Sequence, residues 1–337
     1  MNRRGVCYDV GRVMMDKNFR PEFEGDTIKH ELKIIKEDLH CNVVKIYGKD
    51  VKRLMKASEF ALNLGLEVWV SPELWDKTPE DTMEYLVGAA VETEKLRLKY
   101  EGKVVFIMGT ELSLFMNGIL NGDNFMERLQ SHDFKEIVTK GKHNIILNQF
   151  LEEGNALVRN VFKGPVTYAS TPFEAVNWKN FDFVCVDIYR DAKIKKEYPK
   201  ILKSFARHGK PVVIGEFGCC IYEGAEDLGG WAWNILDELN SEELNGNYVR
   251  NEAVQAFELT EQLNILENSG VDGGFVFTFV QPTFKHSKDP RYDMDMASYS
   301  LVKTLREGHG QTYKDMNWEP NESFYALSEF YDDLDYN

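Results

Sequence analysis

Long apolar stretches are missing from this sequence. No run approaches the ~18 residues a membrane-spanning helix needs. The N-terminus, MNRRGVCYDV, has neither an apolar core nor a small-residue cleavage site behind it, so neither a span nor a signal peptide is expected. Clustered positive charge is missing too. Lys and Arg number 40 against 55 Asp and Glu, a net charge of −15, and no basic block interrupts the chain. Phosphate backbones and anionic lipid are bound by concentrated cations, which leaves nucleic acid and membrane out as expected partners. Cysteine is scarce. Cys7, Cys41, Cys185, Cys219 and Cys220 make an odd set of 5 without a C-x-x-C pair, and three lie in apolar runs, where a free thiol behaves as a small hydrophobe. A reduced, cytoplasmic protein is the simple reading. The 7 histidines (30, 40, 132, 143, 208, 286, 309) show no ligand spacing. The chain has no H-E-x-x-H, no H-x-H in its first apolar run, no G-x-S-x-G and no phosphate loop. No metal and no cofactor is expected.

What the sequence does have is an ordinary globular composition, 43% hydrophobic and 28% charged. Its apolar residues gather in short runs: Gly5–Val10, Val43–Gly48, Leu66–Ser71, Val104–Gly109, Pro165–Ser170, Phe183–Tyr189, Pro211–Phe217 and Gly274–Val280. Most are rich in Val, Ile, Phe or Tyr, which suits strands buried on both faces. Helical periodicity fills most of the gaps. In Asp50–Gly65 the apolar Val51, Leu54, Met55, Ala61 and Leu62 share one stripe, with Asp50 placed to cap the start and Gly65 to stop the end. Thr78-Pro79-Glu80-Asp81 opens another helix with a capping hydroxyl, proline at the first helical position and acids in the first turn. Asp26–Leu39, Phe134–Phe162, Ile194–His208, Arg250–Ser269 and Glu322–Tyr331 read the same way. Strand and helix alternating eight times predict an α/β chain folded as a single (β/α)8 TIM barrel, residues 1–337 forming one domain. The competing doubly wound sheet would carry a glycine-rich phosphate turn after its first strand, where this chain reads Tyr8-Asp9-Val10-Gly11-Arg12. Residues 111–133, 217–249 and 281–320 exceed plain connectors. They follow the fourth, seventh and eighth strands and so extend the face at which barrel enzymes build their sites.

Two of those strand ends carry a glutamate: Val104-Val105-Phe106-Ile107-Met108-Gly109-Thr110-Glu111 and Pro211-Val212-Val213-Ile214-Gly215-Glu216. A carboxylate at the rim of a low-dielectric core loses hydration, so it is costly without a task. The fourth and seventh strands of a barrel lie nearly opposite, and two carboxyls facing over a cleft are what glycoside hydrolysis requires. Taken singly, each is equally well read as a strand-end cap or a salt-bridge partner. Together, in this fold, they resemble clan A of the glycoside hydrolases, (β/α)8 retaining enzymes with one glutamate ending strand four and another ending strand seven. The resemblance implies Glu111 as general acid/base, Glu216 as nucleophile and an oligo- or polysaccharide as substrate.

Period-two alternation puts Cys185, Asp187 and Tyr189 on one face. Tyr189 then stands where clan members often place a tyrosine that hydrogen-bonds the nucleophile. The same alternation turns Val43, Lys45 and Tyr47 inward, and a lysine there needs an anionic partner, Glu216 or Asp9. The clan usually has arginine at that point, whose planar fork a lysine lacks. Two more positions depart from the family pattern. Thr110 stands where asparagine commonly precedes the acid/base, although one group of β-mannanases shares the Gly-Thr-Glu form. Strand eight offers Phe279 or Gln281 where a tryptophan commonly floors the sugar site. Trp75, Trp231, Trp233, Phe284 and Tyr292 follow strand ends and offer faces for stacking on sugars, or else bury against the barrel top. Asp9, His286, Asp293 and Asp295 are candidate polar contacts with structural roles as the alternative. The segments Asp293–Tyr299, Thr312-Tyr313 and Trp318-Glu319-Pro320 also resemble a bacterial clan-A-like group labelled abortive phage infection proteins. The departures motivate a second reading, a catalytically inactive barrel that binds glycan or a partner protein, with phage defence resting on that label alone. A metal-dependent sugar isomerase, which uses Glu and Asp at barrel strand ends, is a further alternative.

Overall fold

The apolar runs are too short for core helices and carry too few polar residues for a strand with one wet face. Each becomes a strand buried on both sides. The computed structural model describes residues 1–14, 16–237 and 242–336. Its barrel strands are β1 (Arg3–Asp9), β2 (Val43–Gly48), β3 (Glu67–Pro72), β4 (Val104–Thr110), β5 (Val166–Ser170), β6 (Val184–Asp187), β7 (Val212–Phe217) and β8 (Gly273–Val276). Neighbours pair in parallel in the order β1-β8-β7-β6-β5-β4-β3-β2, and β1 pairs with both β2 and β8, so the sheet closes on itself. This is the (β/α)8 barrel expected from the alternation.

The main helices are α1 (Gly25–Glu37), α2 (Val51–Asn63), α3 (Pro79–Lys99), α4 (His143–Val161), α5 (Tyr198–Ser204), α6 (Glu252–Ser269) and α7 (Glu322–Tyr336). Their starts follow local chemistry. The Asp50 carboxylate accepts the Lys52 and Arg53 amides, and Thr78 Oγ1 accepts the Asp81 amide beside a proline in the first turn. The single helix expected over 134–162 is two pieces, Phe134–Lys140 and α4, because Gly141 takes a left-handed φ of 67° between them. The alternation is also incomplete. Among the described residues the β5–β6 crossover holds one 3-10 turn, Trp178–Asn180, and no α-helix.

The core has two layers. Ile28, Leu32 and Ile35 of α1, Leu54 and Ala61 of α2 and the outward residues of the strands fill the space between barrel and helices. Cys7, Val43, Trp69, Val105, Ile107, Ala169, Cys185, Val213 and Phe275 fill the interior, a packed barrel rather than a pore. All five cysteines are buried and unpaired. The C-terminal segment closes over the seam where β1 meets β8. A hairpin of Val302–Thr304 with Trp318–Pro320 brings Trp318 edge-on to Phe279, and its indole N–H donates to Glu31 on α1 at 3.0 Å. The Tyr331 hydroxyl of α7 then donates to the Gly5 carbonyl of β1 at 3.3 Å. Among the described residues no helix is long and apolar enough to cross a membrane.

Candidate active site

Strict alternation along β7 would place Glu216 on the outer face with Ile214, because Val213 lies in the barrel interior and Ile214 in the layer beneath the helices. The register departs from it. Val186 pairs with Ile214 but Asp187 pairs with Glu216, so Gly215 is one extra residue, a bulge that re-aims Glu216. β4 repeats the device. Ile107 pairs with Thr167 but Thr110 with Ala169, the extra residue falling beside Gly109 at a left-handed φ of 91°. Glu111 follows in the left-handed region itself, φ 46°, and opens a short helix, Leu112–Phe115. A non-glycine residue there costs about 1–3 kcal/mol and persists only when its surroundings hold it. Here the Leu112 amide donates to Tyr168 Oη at 2.7 Å and the Ser113 amide to Glu174 Oε1 at 3.0 Å, while Glu174 also accepts the Thr171 amide and the Tyr168 hydroxyl.

Glu216, only 6% exposed, sits between donors. Lys45 Nζ donates to its Oε1 at 3.0 Å and Tyr189 Oη to its Oε2 at 3.0 Å. Arg12, from the loop after β1, approaches the same Oε1 to 3.8 Å. Its guanidinium is held in a fork on Glu73, at 2.7 and 2.9 Å, and lies over the rings of Tyr47, Trp75 and Phe277. Asp9 sets this arginine in place, its Oδ1 accepting the Gly11 and Arg12 amides at 2.6 and 2.8 Å. On the other side of Lys45, Asp187 Oδ1 stands 3.9 Å from Nζ, and neither oxygen of this buried carboxyl has a hydrogen-bond partner among the described residues.

Glu111 is partly exposed, and its carboxyl makes no hydrogen bond among the described residues. Burial of its carboxyl first, then the charges of Asp187, Glu216 and Glu174, push Glu111 well above the ordinary carboxyl range, with Arg12 opposing. Burial also pushes Asp187 up, against the pull of Lys45. Burial alone would lower Lys45, but Asp187 and Glu216 reverse it, so the ammonium stays charged. The mouth therefore holds one carboxyl furnished with donors and one, Glu111, whose surroundings favour the acid form.

The structure brings Glu111, Glu216, Tyr189, Lys45 and Tyr47 together at the mouth. The Tyr47 hydroxyl meets Thr278 Oγ1 at 3.2 Å, and its ring stacks on Phe277. Asp9 is a turn residue rather than the partner of Lys45. Trp75 is stacked on Phe115, ring centroids 3.7 Å apart, and the Arg12 guanidinium lies over its ring, so it packs into the wall of the site. Trp233 joins the same aromatic group through Phe125, whereas Trp231 is 49% exposed on the loop after β7. Two expectations for strand eight differ. Regular strand ends at Val276, so alternation cannot be counted on to Phe279, which is fully buried on the outer side against Tyr8 and Trp318. Phe277 takes the place at the mouth instead, beside Tyr47, Tyr189 and Tyr299. The Gln281 side chain is spent on the Tyr299 amide at 3.1 Å. Phe284 stacks on Phe19, and Asp293 and Asp295 pair with Arg250, Asp293 also meeting His286, so this tail forms wall rather than site. Residues 238–241 of the loop after β7 lie outside the described residues.

Arg12, Glu73 and Asp187 are functional candidates that the sequence reading did not single out as such. Asp187 had a signal, an acid at the end of a strand on the inward face. Arg12 and Glu73 had none, since a fork between loops 61 positions apart leaves no local pattern. Among the described residues no group of three or more His, Cys, Asp and Glu side chains is arranged to hold a metal ion.

No family model matches the sequence, and no curated protein does. Solved structures match the fold. A GH113 β-1,4-mannanase superposes with a TM-score of 0.61 at 14% identity, over 98% of both chains. A β-glucuronidase from Ruminococcus gnavus gives 0.60 at 12% identity, over 98% of this chain and 50% of that one. The β-glycosidase BGL167 gives 0.54 at 11%, over 98% and 96%. At these identities the likeness is one of fold.

Proposed function

We propose that this chain is a retaining glycoside hydrolase of the clan A type, acting on a β-linked saccharide and working along its whole length as one cytoplasmic domain. One observation carries the reading: two strand-end glutamates stand at the barrel mouth in opposite settings, Glu216 between the Lys45 ammonium and the Tyr189 phenol, and Glu111 pushed up by burial and by neighbouring carboxylates. Such a division of environments is how two carboxyls come to divide acid and nucleophile roles. The names of the solved relatives, β-mannanase, β-glucuronidase and β-glycosidase, favour a β-linkage.

In this reading the Glu216 carboxylate attacks the anomeric carbon as the glycosidic C–O bond breaks, and Glu111 hands its proton to the departing oxygen. The covalent glycosyl ester is then opened by water, whose proton Glu111 takes back. Lys45, Tyr189 and Arg12 hold the attacking carboxylate, and exposed Trp231 is the platform for sugar beyond the cleaved bond. The test is an assay on aryl β-glycosides and soluble mannan, xylan and glucan, with Glu111→Gln and Glu216→Gln beside the wild type. Turnover should fall about 10³-fold or more in both variants, and NMR should find the β-anomer released first. An inverted first product sinks retention. Silence across the panel, with saccharide still bound, favours the inactive binding barrel, a reading to which the Thr110 hydroxyl, engaged with Ser71 Oγ at 3.1 Å, lends support.

A further inference from the structure

Asp187 has no part in the two-glutamate scheme, yet the fold makes room for it at a cost. It is 2% exposed, both oxygens lack hydrogen bonds among the described residues, and it stands beside a lysine that already has a closer partner. Burying a carboxyl without hydrogen bonds is unfavourable by several kcal/mol unless a charge offsets it. The space is specific. A Cβ on Gly215 would collide with Asp187 Oδ1 and stand 2.7 Å from Cys185 Sγ, so the bulge glycine that turns Glu216 inward also clears the seat of Asp187. Lys45 Nζ is caught among three oxygens, Glu216 Oε1 at 3.0 Å, the Gly215 carbonyl at 3.4 Å and Asp187 Oδ1 at 3.9 Å.

We propose that Asp187 is a positioning residue of this same site: seated across Lys45 from Glu216, it divides the ammonium between two carboxyls and couples their charge to Glu111. The inference rests on the two-glutamate reading for its catalytic meaning, although the coupling itself does not. The groups that face Asp187 are Cys7 from β1, Lys45 from β2, Glu73 after β3, Glu111 after β4, Glu174 after β5, Cys185 and Tyr189 on its own segment and Glu216 from β7. Lys45 stands between Asp187 and Glu216, and the Arg12 guanidinium approaches Glu216 and opposes the push on Glu111. Glu111, Asp187 and Glu216 thus outnumber the cations beside them and titrate as a set. Of the charges acting on Glu111, that of Asp187 is the largest, after burial itself. Removing it leaves Glu111 easier to ionise.

The experiment is Asp187→Asn, which keeps the shape and removes the charge, with Asp187→Ser as a second variant should the first not fold. Protein carrying [δ-13C]glutamate is titrated by NMR, the Glu111 signal being identified by its loss in Glu111→Gln. In either Asp187 variant the Glu111 midpoint should fall by about one pH unit or more, the size expected for a like charge in a shared site. If turnover is found, the alkaline limb of kcat/KM should move down with it, and kcat should fall while KM holds. An unmoved Glu111 midpoint overturns the proposal, because an Asp187 that never ionises couples to nothing. The titration reads without substrate, so a protein that shows the shift but no turnover defeats the glycosidase reading and leaves the coupling standing.

Discussion

Replacing Gly215 by alanine tests the geometry of the mouth with one methyl group. Gly215 lies outside the left-handed region, so alanine meets no backbone objection there and the cost is one of space. The new Cβ would run into Asp187 Oδ1 and approach Cys185 Sγ to 2.7 Å. Neither neighbour has room to retreat, since Cys185 is fully buried and Asp187 is 2% exposed. Overpacking of a close-packed interior costs about 1–3 kcal/mol, and with two short contacts on one strand the upper part of that range applies. For a chain of this size that is about 1.4 °C of Tm per kcal/mol, hence a drop of about 3–4 °C by calorimetry. The clash is chiefly with the carboxyl, so Gly215→Ala combined with Asp187→Ser should regain most of the loss, a coupling that additive effects do not produce. A Gly215→Ala protein that melts with the wild type, or a double variant whose losses simply add, would refute the seat of Asp187 as described.

Tyr189→Phe removes the phenol that donates to Glu216 Oε2 at 3.0 Å. A hydrogen bond to a charged group contributes about 1.5–3 kcal/mol, so kcat/KM on whichever glycoside is turned over should fall roughly 10- to 100-fold, and an unchanged value would remove Tyr189 from the machinery. Asp295, raised by burial to about 6 despite Arg250, gives a pH signature apart from the carboxyls gathered around Lys45. Its folded form holds the proton more tightly than the unfolded chain, so its contribution is present below the ordinary carboxyl range and lost as pH rises through about 6. That is a decline of about 2–3 kcal/mol, and urea midpoints at stepped pH should lose this slope in Asp295→Asn.

The barrel was legible because strands buried on both faces announce themselves as short apolar runs. Val43–Gly48 has the same bounds in the sequence reading and in the structure. Position at a strand end, rather than side-chain period, located the glutamates. Period alone would have turned Glu216 outward, because the extra residue at Gly215 is a matter of register against β6 and β8, to which a single strand's sequence is blind. Lys45 followed from alternation inside its strand, and Tyr189 from the same count carried two residues past the end of β6 at Asp187. In strand eight the family position of the tryptophan pointed to Phe279 or Gln281, whereas regular strand stops at Val276 and Phe277 takes the mouth. Arg12 and Glu73 were out of reach for a different reason, since their partnership belongs to loops that only the closed barrel brings side by side.

That closure also sets an order of events during synthesis. The hydrogen bonds that seal the seam join residues such as Asn2 and Asp272, 270 positions apart. At about 5–20 residues per second the ribosome takes roughly 15–50 s to cover that distance. Throughout it β1 has one edge of unpaired amides and carbonyls, a template for any other strand that drifts by. Trp318 and Tyr331, which clasp α1 and β1, emerge later still. The newborn chain must therefore keep its first strand from foreign company until its last helix arrives.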